Sequence, residues 1–216
     1  MSKAVIFDHD GVIIDNQPAQ KLAWKKLFDE YGFTISNEEM SQNIRGRSTF
    51  EGLKKLFRGR FSDNELLAIA KRKEQLYTDI FQKDFRAVKG FNALVEDLNR
   101  NNIPMAIATS TTNELLNYSI KRMQIGNFFD VIVTAENISK SKPDPQIYLV
   151  TASKLKIEPA DCIVFEDSFS GIRSARAAGM KVILMETTHK REEFNDEIEL
   201  AISDFTEVSV LQIKKL

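Results

Sequence analysis

Five short apolar runs recur along the chain without intervening polar positions: Ala4-Val5-Ile6-Phe7, Met105-Ala106-Ile107-Ala108, Val131-Ile132-Val133, Cys162-Ile163-Val164-Phe165 and Val182-Ile183-Leu184. A strand with one face in water alternates apolar and polar side chains, so these runs predict strands covered on both faces, as in a parallel sheet. Segments of helical spacing separate them: Asn113 to Met123 ahead of Gly126, Pro145 to Leu155, and Phe169 to Ala178 ahead of Gly179, with the glycines as C-terminal caps. Strand and helix in alternation predict an α/β fold, a Rossmann-like three-layer core with helices on both faces of a parallel sheet. Leu200-Ala201-Ile202 is a further candidate, as an edge strand, and the chain from His189 onward carries little other pattern.

The alternation breaks after the first run. Residues 16–84 show helical signals and no strand pattern. A helix from Pro18 to Tyr31, ahead of Gly32, would bury Leu22, Ala23, Leu27 and Phe28 at helical spacing. Ser36 with Glu39 and Ser62 with Glu65 read as capping boxes, the second opening a helix that reaches Phe81. The expected organisation is an all-helical cap, 16–84, inserted after the first strand of a catalytic core made of 1–15 and 85–216.

Bulk composition narrows the function mainly by exclusion. Hydrophobic residues make up 43% and charged residues 28% of the chain, enough for a packed core, and no tract suggests disorder. A net charge of −1 gives no field that would steer the chain to nucleic acid or an acidic membrane. With no long apolar span and no leader pattern before Asp8, the expected location is the cytoplasm. The single cysteine, Cys162, lies inside an apolar run and reads as a buried small side chain.

Four strand ends carry the chemistry. The first run leads into Asp8-His9-Asp10-Gly11, two carboxylates one residue apart at the carboxyl end of a strand, where α/β folds bind ligands. Strand alternation would turn His9 to the opposite face, which gives it a structural role. The second run leads into Thr109-Ser110-Thr111, whose hydroxyls and backbone N–H groups suit phosphate oxygens. Ser139-Lys140-Ser141-Lys142-Pro143-Asp144-Pro145 holds a lysine in a stretch stiffened by prolines. Glu166-Asp167-Ser168 ends another strand in two acids, a hard-oxygen pair that suits magnesium; Asp167 or Ser168 also reads as the cap of the helix that follows.

In this order and at these strand ends, the four motifs resemble the signatures of the haloacid dehalogenase superfamily, and the helical insert resembles the cap of its β-phosphoglucomutase-like branch. The resemblance covers nearly the whole chain. It implies a Mg2+-dependent phosphomonoester hydrolase, a phosphatase of a small phosphorylated metabolite such as a sugar phosphate, working through an aspartyl phosphate on Asp8 with Asp10 as general acid/base. The ion would take an Asp8 oxygen, the carbonyl of Asp10 and a carboxylate of Asp167, with Glu166 orienting a bound water or Lys142. Thr109, the N–H of Ser110 and Lys142 would hold the phosphoryl group. A monomer is expected, with no nucleic-acid or membrane partner.

The same resemblance assigns substrate specificity to the cap, through Arg45 and Arg47 in Ile44-Arg45-Gly46-Arg47-Ser48-Thr49 and through Lys73 on the long helix. A solvated charge run is the plain alternative for Lys73, which follows Lys71 and Arg72. The mutases of this branch carry a histidine on the first cap helix where this chain has Gln20, and an arginine where it has Thr49. Those departures favour phosphatase over β-phosphoglucomutase chemistry. A non-catalytic binding protein on the same fold is a further reading, and retention of Asp8, Asp10 and Lys142 speaks against it.

Overall fold

The computed structural model describes residues 3–44, 48–111, 113–195 and 198–216. The chain divides into two compact units, Met1–Asp15 with Arg86–Leu216, and Asn16–Phe85. Among the described residues the first unit holds a six-stranded, all-parallel sheet. Its strands are β1 (Ala4–Phe7), β2 (Met105–Ala108), β3 (Val131–Val133), β4 (Cys162–Glu166), β5 (Lys181–Met185) and β6 (Leu200–Ile202), in the order β3-β2-β1-β4-β5-β6. The chain builds outward from β1 on one side, then returns and builds outward from β4 on the other. The carboxyl ends of β1 and β4 therefore flank the switch point at which such sheets open a crevice.

The sheet is covered on both faces because successive side chains point opposite ways. Ile6, Ala106, Val164 and Val182 pack on one face with Ile147 and Tyr148 of α7 (Gln146–Leu155) and Ile172 and Ala175 of α8 (Phe169–Ala177). On the other face the Phe7 and Phe165 rings stack with centroids 5.1 Å apart. Phe91 of α5 (Phe91–Arg100) and Phe205 meet Phe7 edge-on at 5.3 and 6.0 Å. Cys162 is buried, and burial pushes its thiol up to about 11.

Two local expectations change. The edge strand β3 is not covered throughout, since Ile132 is 37% exposed. The cap of α6 (Asn113–Met123) is not Gly126: Gln124 takes the left-handed conformation, at φ 58°, and the N–H of Ile125 reaches back to the Ile120 carbonyl. Burial of Ile125 in the core anchors that turn and offsets the strain of a non-glycine there. Gly179, at φ 77°, does cap α8 as its sequence position suggests.

Among its described residues the second unit forms helices and no strand: α1 (Gln17–Tyr31), α2 (Asn37–Asn43), α3 (Thr49–Phe57) and α4 (Asp63–Lys83). Both capping boxes form, Ser36 with Glu39 and Ser62 with Glu65. The inner face of α1 is Ala19, Ala23, Trp24, Leu27 and Phe28, and it packs on α4. Leu22, expected inside, is 42% exposed because this stripe runs one position away from it.

Candidate active site

Asp8 is the first residue beyond β1, and its N–H donates to the Phe165 carbonyl of β4 at 3.1 Å, so its backbone is fixed at the sheet's switch point. The chain then turns sharply: the N–H groups of Val12, Ile13 and Ile14 all converge on the His9 carbonyl, and Gly11 sits at φ 74°. A Cβ at Gly11 would lie 1.9 Å from an oxygen of Asp167, so glycine is required there by space as well as by conformation.

Lys142 reaches back from the loop after β3 and places Nζ 2.8 Å from Asp8 Oδ1 and 2.6 Å from Glu166 Oε1, with the Tyr148 ring beneath it at 5.0 Å. Tyr148 also donates its hydroxyl to Glu166 Oε1 at 3.0 Å. The other Glu166 oxygen accepts from the N–H of Asp167 and the N–H and hydroxyl of Ser168, at 2.9 to 3.0 Å. Glu166 thus takes five donors on two oxygens. Burial alone would push its carboxyl up, but Lys142 and the Ser168 donors outweigh that and hold it below its usual range.

At Asp8 and Asp167 the favourable partners do not outweigh burial. Burial, joined by repulsion from Glu166 and Asp10, pushes Asp8 up to about 6 despite Lys142. Asp167 is pushed well above the carboxylate range by burial and by Glu166 and Asp8, against the pull of the Thr188 hydroxyl. Oxygens of Asp8, Glu166 and Asp167 lie within 4.8 Å of one another, a cluster that could hold a metal ion. The donors around Glu166 leave Asp8 and Asp167 as the two carboxylates whose ionised forms burial disfavours and a hard cation would stabilise.

Asp10 differs from both. It is partly exposed, its Oδ2 accepts from the Thr111 hydroxyl, and its Oδ1 lies 3.6 Å from His9 Nδ1. Burial raises its pKa, but His9, Thr111 and Lys142 together bring it below the usual value. The strand ends at Phe7, so alternation does not carry on through His9: its imidazole is buried beside Asp10 rather than turned away from it. Thr109 is buried, with its hydroxyl accepting from the Thr111 N–H at 3.0 Å, and Ser110 is exposed beside it. Ser168 caps α8 by accepting from the Gly171 N–H.

In the helical unit, three of the candidate residues join one network. Lys73 is 3% exposed, whereas Lys71 and Arg72 face outward, so the solvated-run alternative does not hold for it. Its ammonium donates to Gln20 Oε1 at 2.5 Å, pairs with Glu74 at 3.3 Å, and lies near the Trp24 and Tyr77 rings at 5.3 and 5.1 Å. Thr49 donates to the same Glu74 carboxylate at 2.6 Å. Arg45 and Arg47 lie outside the described residues.

Comparison with known proteins supplies the lineage. Residues 5–185 match the model of the haloacid dehalogenase-like hydrolase family. The chain belongs to that family. Among haloacid dehalogenase-like relatives, a phosphorylated carbohydrates phosphatase of Thermotoga maritima is 32% identical over 84% of this chain and 83% of its own length. The β-phosphoglucomutase of Bacillus subtilis is also 32% identical, over 82% of this chain and 80% of its own. The crystal structure of a haloacid dehalogenase hydrolase of family IA, variant 3, from Entamoeba histolytica superposes with a TM-score of 0.87 at 30% identity, covering 99% of this chain and 98% of that one.

Tyr148, Thr187 and Thr188 are site residues that the sequence pattern did not single out. Tyr148 had a signal in its place three residues after Pro145, on the buried face of a predicted helix, where a tyrosine hydroxyl must find a partner.

Proposed function

We propose that this chain is a Mg2+-dependent phosphomonoester hydrolase acting on a small phosphorylated metabolite, sugar phosphates foremost, with Asp8 as nucleophile and Asp10 as general acid/base. The reading rests on the unequal treatment of the buried carboxylates: Glu166 takes five donors, whereas Asp8, although beside Lys142, and Asp167 are pushed up by burial and by neighbouring acids. Family membership and the printed activities of the relatives support it. Asp8, Asp167 and the carbonyl of Asp10 are the groups that would hold magnesium, which when bound offsets the negative charge of the transferring phosphate.

In the first half-reaction an Asp8 oxygen attacks phosphorus, the ester P–O bond breaks, and the leaving oxygen takes a proton from Asp10. In the second, water attacks the aspartyl phosphate and gives its proton to Asp10, which frees inorganic phosphate and Asp8. His9, Thr111 and Lys142 hold Asp10 ionised at rest. A phosphate dianion arriving nearby raises its pKa, so substrate itself favours the protonated form that the first half needs. Thr109 and the N–H of Ser110 are assigned to the phosphoryl oxygens, and Gln20, Thr49 and Lys73 with Arg45 and Arg47 to the leaving group.

A mutase returns the phosphoryl group to a sugar hydroxyl instead of water, and the β-phosphoglucomutase relative keeps that reading in play. Gln20 favours water, because a carboxamide held by Lys73 does not titrate and so cannot couple its protonation to Asp10. The working form is taken to be a cytoplasmic monomer without nucleic-acid or membrane partners; among the described residues no helix is long and apolar enough to cross a membrane. The test is a screen of sugar phosphates, nucleotides and pyrophosphate with magnesium, scored for released phosphate and for isomerised sugar phosphate. Release of phosphate from sugar phosphates supports the hydrolase; faster conversion of β-glucose 1-phosphate to the 6-phosphate assigns the mutase; a flat screen revives the binding protein.

A further inference from the structure

The loop leaving β5 is tied to two of the strand-end motifs through adjacent hydroxyls. Thr187 Oγ1 donates to the Gly11 carbonyl at 2.5 Å, and Thr188 Oγ1 donates to Asp167 Oδ2. The two anchors meet at one point, since a Cβ on Gly11 would lie 1.9 Å from Asp167 Oδ2 and 3.2 Å from Thr187 Oγ1. The loop is itself held: the Glu186 N–H donates to the Ile202 carbonyl at 2.8 Å, the Glu186 carboxylate accepts from the Arg191 N–H at 2.8 Å, and the His189 ring packs on Phe169, 4.5 Å between centroids. Thr188 therefore presents its hydroxyl from a braced backbone.

That contact divides the Asp167 carboxylate. Oδ2 faces the Gly11 turn and carries the Thr188 hydroxyl, so Oδ1 is the oxygen that this contact does not engage. Magnesium takes one oxygen per carboxylate in a small octahedron, whereas calcium takes more ligands at longer distance and often both oxygens of one carboxylate. We infer that Thr188 is a positioning residue that limits Asp167 to single-oxygen ligation and so sets the preference of this site for magnesium over calcium. Hydroxyl and carboxylate partners of metal ligands commonly govern affinity by about 10- to 100-fold.

The inference rests on the metal-dependent reading above, and one set of titrations separates the two. Full-length wild type, Thr188→Ser and Thr188→Val are titrated with Mg2+ and with Ca2+ by calorimetry, with melting curves to establish folding. Wild type and Thr188→Ser are expected to bind magnesium more tightly than calcium. Thr188→Val should lose about 10-fold or more in magnesium affinity and less in calcium affinity, so that the ratio shifts by about 10-fold. Equal losses for both ions, or none, would overturn the assignment, as would failure of Thr188→Ser to keep the wild-type ratio. Wild type that binds neither ion would overturn the metal-dependent reading itself. If Thr188→Val does not fold, Thr188→Ala carries the same comparison.

Discussion

Among the described residues two lysine side chains, those of Lys142 and Lys73, are almost fully covered, and they are satisfied in opposite ways. In the α/β unit, Lys142 sits against two carboxylates that are themselves buried, at 2.8 and 2.6 Å. In the helical unit, Lys73 has a carboxamide at 2.5 Å, two aromatic rings, and a carboxylate, Glu74, that is 51% exposed. Lys142 is thus the counterion of a nest of two buried acids, while Lys73 faces a neutral amide and a carboxylate that water reaches. The first is the lysine proposed to serve the chemistry, and the second is the one proposed to serve recognition.

The largest effect should follow from removing the first. Lys142→Met leaves Asp8 and Glu166 buried without a cation, and breaking a buried pair in this way costs about 3–5 kcal/mol. Chemical denaturation at neutral pH should show that loss, together with a fall in turnover of about 100-fold or more as phosphate repulsion goes uncompensated. A variant of wild-type stability would mean that Lys142 does not balance the nest.

Next comes the pH response of the nest. Asp8, at about 6 in the fold against an ordinary 3.8, binds more protons folded than unfolded between those values. Metal-free protein should therefore lose stability from this group as pH rises through that window. A cation that favours the ionised form reverses this, so the rise in Tm on adding magnesium should be larger at pH 7.5 than at pH 5. The acid limb of kcat/KM should also move to lower pH as magnesium is increased. A magnesium effect that is equal at the two pH values contradicts the assignment of Asp8 to the ion.

The smallest effect belongs to the cap. Lys73→Met keeps the apolar contacts with Trp24 and Tyr77 and frees Glu74 into water, so stability should change by less than about 1 kcal/mol. KM for sugar phosphates should rise while kcat changes little. A loss of stability as large as that of Lys142→Met would erase the contrast between the two lysines.

Much of this was legible in the sequence for a specific reason. The candidate carboxylates stand directly after short apolar runs, and a run buried on both faces announces both its strand and the loop beyond it. The strands of the sheet and the capping boxes of the helical unit follow from that local pattern. What escaped depends on packing. Ile132 is partly exposed only because β3 is an edge, His9 turns beside Asp10 because the strand stops one residue before Asp8, and Lys73 is buried amid a charge run because α1 covers that side of α4. Thr187 and Thr188 act through single hydroxyls brought in by the loop after β5, and such threonines carry no periodicity to flag them.

The central claim is that Asp8 forms the bond to phosphorus, and Asp8→Asn tests it most directly. With folding verified by circular dichroism, magnesium-dependent release of phosphate from the best sugar phosphate of the screen should fall by at least about 10^4-fold, to the background rate. Hydrolysis that survives at a tenth of the wild-type rate would contradict the account.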